Sequence, residues 1–439
     1  MAGQQTNWDQ CLEYVALSDI GMRRAINQDA YAAVPAEDIE SWRDRGHLFV
    51  VADGMGAHVA GEMASQMAVQ CVPHVYLKHR GEPPSEAIKT AVLEANAQIN
   101  RRGNETIEFY HMGTTCSALL LLPQGALAAH VGDSRIYRLR DKYLEQLTFD
   151  HSLVWEIRAA GQMPKDERKA AAIPKNVITR SLGPHPAVEV DLEGPFPTAV
   201  GDTFLLCSDG LTGEVSDEEL GPILSCLEPA EAAPLLVHLA NLRGGPDNIT
   251  LIIVKVTGPQ LTTRAAATEP LPHAGGRAAG TPKAVHPALW VVIAACLLAG
   301  VGMVITQQPL AARLLAAAAG GAVLLAVAQK FSGGGRQRAD TPSGQRFGSG
   351  PHSKTACRAT RPIVKTLAEI SQQLRAAAED ENWSIDRSRV SCHIGQAASA
   401  ASDRRYPDAV RESSRAIRIM MDESRCRQEG ADRPDSASP

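Results

Sequence analysis

The chain has 439 residues, more than one domain of ~100–200 residues usually holds. Its 44 basic and 49 acidic residues leave it slightly acidic, so the overall composition does not point to nucleic acid. Nine cysteines without CxxC spacing argue against a zinc site and against a secreted disulfide framework, and fit a reducing compartment. The start, Met1–Trp8, lacks a basic region followed by an apolar core, so no signal peptide is expected.

Residues 1–256 read as one mixed domain of strands and helices. Short apolar or alternating runs bounded by Gly, Asp or Pro predict strands at Leu12–Leu17, Leu48–Ala52, Thr115–Leu122, Ala126–Val131, Arg135–Leu139, Thr203–Cys207 and Ile249–Val256. Helical spacing of apolar residues predicts helices over Glu62–Lys78 and Ser85–Asn100. A third is expected over Pro229–Leu242, with Pro234 delaying its start. Hairpin-like spacing between consecutive strands favours antiparallel sheets.

Thr257–Pro287, rich in Thr, Ala, Gly and Pro, reads as a flexible linker. Ala288–Ile305 is apolar without a charge, and Leu310–Ala328 is a second apolar run broken only by Arg313. Each approaches the ~20 residues that cross a bilayer, so residues 288–328 are expected to form two transmembrane helices; a buried helical hairpin is the alternative. Residues 329–361 read as a disordered basic linker: Phe331–Arg361 carries six basic residues and one acidic residue. Helical periodicity returns at Ile363, Leu367, Ile370 and Leu374, so 362–439 is expected to be a helical tail. Within it, Tyr406, Ala409 and Ala416 have the spacing of half a tetratricopeptide helix pair, although Ser413 stands where that family has an aromatic residue. Basic residues flank the apolar pair on both sides (Arg277, Lys283, Lys330, Arg336, Arg338, Arg346), which predicts both ends in the cytoplasm and a multi-pass cytoplasmic-membrane protein. A single crossing with the tail outside is the rival.

The first domain delivers Asp residues to Gly- or Ser-flanked turns at five places: Asp29, Asp53, Asp133, Asp209 and Asp247. A lone Asp at a strand end is most simply a turn or helix cap. Five are harder to dismiss: a pair of hard divalent ions needs several carboxylates converging from distant points, and all-oxygen ligation suits Mg²⁺ or Mn²⁺. Two such ions ~3.5–4 Å apart can hold a bridging hydroxide and polarise a phosphoryl oxygen.

The surrounding motifs resemble those of the metal-dependent protein Ser/Thr phosphatases of the 2C type, in their bacterial form. Ser18–Asp29 is similar to SDxGxxRxxNxD, and Asp53–Ser65 to DGMGGHxxGExAS. Gly113-Thr114-Thr115 matches GTT, Val131–Arg135 matches VGDSR, and Thr148, Asp150, His151 and Ser152 match TxDHS. Asn176, Thr179, Arg180 and Gly183 match NxxTRxxG, Ser208–Leu211 matches SDGL, and Gly244–Thr250 matches GGxDNIT. The resemblance covers about Tyr14 to Val256.

It implies an αββα sandwich, two antiparallel sheets flanked by helices, with metals at one end. Carried onto this chain, Asp29, Asp53, Asp209 and Asp247 would hold a binuclear Mn²⁺ or Mg²⁺ centre, with the Gly54 carbonyl as a further ligand. Asp133 would help hold a weaker third ion, and Arg24 would clamp the substrate phosphate with its guanidinium fork. His58 and Glu62 are expected to support the turn and helix start rather than bind metal. Ala57 and Gln28 depart from the common Gly and Glu, and Met55 cannot donate a proton. The expected activity is hydrolysis of phosphoserine and phosphothreonine in proteins, opposing a bacterial Ser/Thr kinase. The alternative is a catalytically weak, membrane-bound scaffold that binds phosphoproteins.

Overall fold

The computed structural model describes residues 11–56, 59–164, 166, 173–174, 177–263 and 346–431, with side chains to 424. His58, Ala57, Asn176, the 264–287 stretch and both apolar runs lie outside the described residues. Among the described residues no helix is long and apolar enough to cross a membrane.

Two antiparallel sheets form the framework. The first has the order β1 (Leu12–Asp19), β11 (Ile249–Val256), β10 (Thr203–Cys207), β7 (Arg135–Arg140), β8 (Tyr143–Gln146) and β12 (Ser353–Ala356). The second has the order β2 (Asp29–Val34), β3 (His47–Met55), β5 (Cys116–Leu122), β6 (Gly125–Val131) and β9 (Asp191–Phe196), with β4 (Gly113–Thr114) on the end of β3. Alternation along each strand sorts its side chains into layers. Phe49 and Val51 of β3 pack with Phe204, Leu206, Ile252 and Val254 between the sheets. Leu48, Val50 and Ala52 point the other way, onto helices α2 (Ala60–Lys78) and α3 (Pro84–Gly103). Leu205, Leu251 and Ile253 face outward onto α6 (Asp217–Cys226) and α7 (Pro229–Leu242). Strands covered on both faces read as near-continuous apolar runs, which is why these were legible.

Five strands were not, β4 being only two residues long. β2 is mostly Ala and is recruited by β3, Asp29 pairing with Asp53 and Val34 with Leu48. β9 carries Gly194 and Pro195, which an edge strand tolerates. β8 has only four residues, and β12 is discussed below. The helix α7 starts at Pro229 and runs through Pro234, correcting the delayed start; Leu235, Leu236 and Leu239 are buried, and that packing outweighs one lost backbone bond. Shorter helices are α1 (Ile39–Arg45), α4 (Leu153–Ala159) and α5 (Asp209–Thr212).

The reading of 329–361 as a disordered linker fails for its described part. Phe347 exchanges backbone bonds with Gly194, and β12 pairs with β8 from Ser353↔Gln146 to Ala356↔Tyr143. Three helices follow: α8 (Arg361–Asp380), α9 (Arg387–Ser402) and α10 (Tyr406–Ala431). They belong to the same compact unit as residues 11–263. Leu367, Leu374, Val410, Ile417 and Met420 join the apolar layer outside the first sheet, and Arg411 donates to the Cys226 carbonyl at 2.9 Å.

Candidate metal centre

The acids arrive on strand ends that the register brings together. Asp29 and Asp53 are opposed across β2 and β3. The Asp53 backbone is fixed twice: its N–H donates to Thr115 Oγ1 at 2.9 Å, and its carbonyl accepts from Thr114 Oγ1 at 2.9 Å. That is what the Gly-Thr-Thr motif does. Gly54 follows; a Cβ there would lie 2.1 Å from the Gly61 carbonyl, so strand β3 and the start of α2 touch only because both residues are glycine.

Asp209 opens α5 directly after β10, and a Cβ on Gly210 would meet the Asn248 carbonyl at 2.0 Å. This contact sets the Asp209 turn against the Asp247 loop. Asn248 is the hub of the arrangement. Its Nδ2 donates to the carbonyls of Ile20 and Ile26, and its Oδ1 accepts from Gln28 N–H at 2.8 Å. One side chain therefore ties the loop carrying Arg24 to the loop carrying Asp247. Gly21, at φ +78°, lets that loop pass the Asp247 carbonyl, where a Cβ would sit 2.2 Å away.

Arg24 Nη2 donates to Asp247 Oδ2 at 2.7 Å, with both side chains partly exposed. Arg24, Asp133, Asp209 and Asp247 line one cavity of about 590 Å³. Asp29 and Asp53 lie buried near enough to Asp209 and Asp247 to feel their charge. Burial pushes the Asp29 carboxyl up to about 7, Asp209 and Asp247 adding like charge. Burial likewise pushes Asp133 up to about 8, with Asp209 and Asp150 contributing. Asp53 is held well above the carboxylate range by burial and by Asp29, and burial also raises Asp209, with Asp247 next. Oδ1 of Asp29, of Asp133 and of Asp209 is buried without a hydrogen-bond donor. Acids so placed lack positive charge.

Among the described residues no three carboxylates, imidazoles or thiols are gathered closely enough to hold a cation as they stand. The orphaned oxygens and the like-charge crowding are nevertheless the donor chemistry that hard divalent ions take. The seven residues singled out in the sequence, Arg24, Asp29, Asp53, Gly54, Asp133, Asp209 and Asp247, thus fall on one end of the sandwich. Glu62 lies in the first turn of α2.

Supporting residues went unrecognised. Ser208 Oγ donates to Asp29 Oδ2 at 2.7 Å, and Arg135 grips Asp150 with its Nε and Nη2. His151 Nδ1 accepts from Gly132 N–H, so its Nε2 carries the proton toward Asp191 at 2.9 Å. Both nitrogens are committed, which makes His151 a brace for the Asp133 loop. Ser208, Arg135, Asp150 and His151 all stand inside quoted motifs, so the signal was present and their partners were not.

The chain matches the protein phosphatase 2C family over residues 22–239. The serine/threonine phosphatase stp of Listeria welshimeri is 39% identical over 220 residues, covering 48% of this chain and 86% of that protein. The serine/threonine protein phosphatase PstP of Mycobacterium tuberculosis is 36% identical over 245 residues, 56% of this chain and 45% of its own length. The crystal structure of the Mycobacterium tuberculosis serine/threonine phosphatase PstP/Ppp aligns with a TM-score of 0.50 at 35% identity, covering 56% of this chain and 99% of that one.

Proposed function

The chain belongs to the bacterial form of the metal-dependent 2C-type Ser/Thr protein phosphatases, and on that footing we propose how its own residues carry out the hydrolysis. It is a protein-serine/threonine phosphatase that removes phosphate from phosphoserine and phosphothreonine. The single observation that carries the reading is the set of five acids, Asp29, Asp53, Asp133, Asp209 and Asp247, crowded at one end of the sandwich with three buried oxygens lacking donors.

Asp29, Asp53, Asp209 and Asp247, with the Gly54 carbonyl, would hold two Mn²⁺ or Mg²⁺ ions, and Asp133 would help hold a third. Such ions, when bound, supply Lewis acidity toward a phosphoryl oxygen and activate water. The protein's part is to bind and orient. Arg24 uses one N–H on Asp247 and lines the cavity, which leaves the rest of its fork for a phosphate. Asn248 and Ser208 hold the acids in register before substrate arrives. The test is hydrolysis of a phosphothreonine peptide by the full chain: turnover with Mn²⁺ or Mg²⁺, none in chelator. Full activity in chelator would refute it.

The physiological opponent fits a Ser/Thr protein kinase. For location we propose the cytoplasmic membrane, with residues 288–328 crossing twice and both the phosphatase domain and the tail inside. One structural fact supports two crossings over one. Thr263 N–H bonds the Thr198 carbonyl and Phe347 bonds Gly194, so the chain leaves and re-enters the same unit at points four residues apart. That spacing is at most ~14 Å of extended chain. A tail packed on the catalytic domain cannot also lie across a bilayer from it. The flanking Arg and Lys residues support the inward orientation.

A further inference from the structure

Beside the acid-lined cavity lies a second one of about 400 Å³, and the two share Arg135, Trp155, Arg158 and Thr212. Its far wall includes His352 and Ser353, contributed by the returning segment. That segment lies beyond the residues matched to the family, so the second cavity is built partly by this chain's own extension.

The boundary between the cavities is a stacked ledge. The Arg135 and Arg158 guanidinium carbons lie 5.7 and 5.8 Å from the Trp155 ring centroid. Trp155 meets Phe149 edge-on at 5.4 Å, and Phe149 meets His352 edge-on at 5.6 Å. His352 is itself held by Glu193, 2.9 Å from its Nε2, and Glu193 also accepts from Gly350 N–H. The returning segment therefore reaches Trp155 through Phe149.

The charges on the ledge are not equivalent. Arg135 is committed to Asp150 at 2.7 Å, and Asp217 of the second cavity accepts the Tyr137 hydroxyl at 2.9 Å. Glu218 stands exposed at the start of α6. Arg158 is exposed and, among the described residues, has no ion-pair partner beyond its stacking on Trp155. An arginine fixed on an aromatic face, with its fork open between two cavities, is prepared for a planar anion. The combined cavity is larger than a phosphoryl group needs.

We propose that Arg158, stacked on Trp155 and braced through Phe149 by His352, is a specificity residue that takes an anionic side chain flanking the phosphorylated residue of the substrate protein. The anion is a carboxylate or a second phosphate; both offer the oxygen pair that the fork binds. The proposal rests on the phosphatase reading.

The test uses the full chain with Mn²⁺ and four matched phosphothreonine peptides, whose flanking residue is Ala, Lys, Glu or a second phosphothreonine. Wild type should show a KM about three- to fivefold lower for the Glu or doubly phosphorylated peptide than for the Ala peptide, the scale of a part-exposed ion pair. Arg158→Ala should bring these KM values together, and Arg158→Glu should move the preference to the Lys peptide. A preference confined to the doubly phosphorylated peptide identifies phosphate as the ligand; a preference for both identifies the negative charge. Equal KM ratios in wild type and both variants would overturn the subsite. Absence of turnover on every peptide would instead overturn the phosphatase reading beneath it.

Discussion

Arg24 spends one donor on Asp247 and keeps the rest of its fork, so its contribution is geometric as well as electrostatic. Arg24→Ala should raise KM for a phosphothreonine peptide by about tenfold or more, and Arg24→Lys by less, since charge survives but bidentate binding does not. Equal kinetics in all three proteins would show that Arg24 does not touch phosphate. His130 gives a pH prediction. It is fully buried, with Ser117 Oγ at Nδ1 and the Phe149 carbonyl at Nε2, and burial pulls its imidazole from 6.5 down to about 3. Its folded form therefore stays neutral while the unfolded chain takes up a proton below 6.5. Stability should fall as pH drops from about 6.5 toward 3, by up to about 1.4 kcal/mol per unit from this group. Urea unfolding across that range checks it: the slope should flatten in His130→Gln, and an unchanged slope would contradict the assignment.

Elements differ in how much of themselves they write into the sequence. β3, β10 and β11 are covered on both faces, so their apolar runs declare them. The motif acids were legible for a local reason: each needs a short turn of Gly, Ser or Asn to expose its oxygens. β12 was hidden because Ser353-Lys354-Thr355-Ala356 is an edge strand with alternate residues exposed, and polar, basic composition suits such an edge. The Trp155–Phe149–His352 stack was illegible because it joins residues some two hundred positions apart, with Phe149 at the variable position of its motif and His352 in no motif. The tail helices were visible as helices through their apolar spacing, whereas the surface they cover belongs to α6 and α7. Leu367 is fully buried in that shared layer. Leu367→Ala should cost about 2–5 kcal/mol. The cost should appear as a lower temperature of heat inactivation of phosphatase activity. An unchanged inactivation temperature would mean that the tail folds independently of the catalytic domain.

On the scale of the whole molecule, the catalytic sandwich and the C-terminal segment are one body, with residues 264–345 inserted between β11 and β12. The design couples three things along the chain: the acid end of the sandwich, a ledge beside it, and a returning segment that completes the first sheet. Everything functional depends on the acids being a cation site and not a set of turn caps. The most direct measurement is calorimetric titration of the full chain and of Asp209→Asn with Mn²⁺, followed by phosphothreonine-peptide turnover on the same samples. Wild type should bind Mn²⁺ and turn over. Asp209→Asn should bind more weakly and lose most turnover, while in chelator it should be at least as stable as wild type, because one buried like charge is gone. A variant that binds Mn²⁺ and hydrolyses the peptide as wild type does would contradict the assignment.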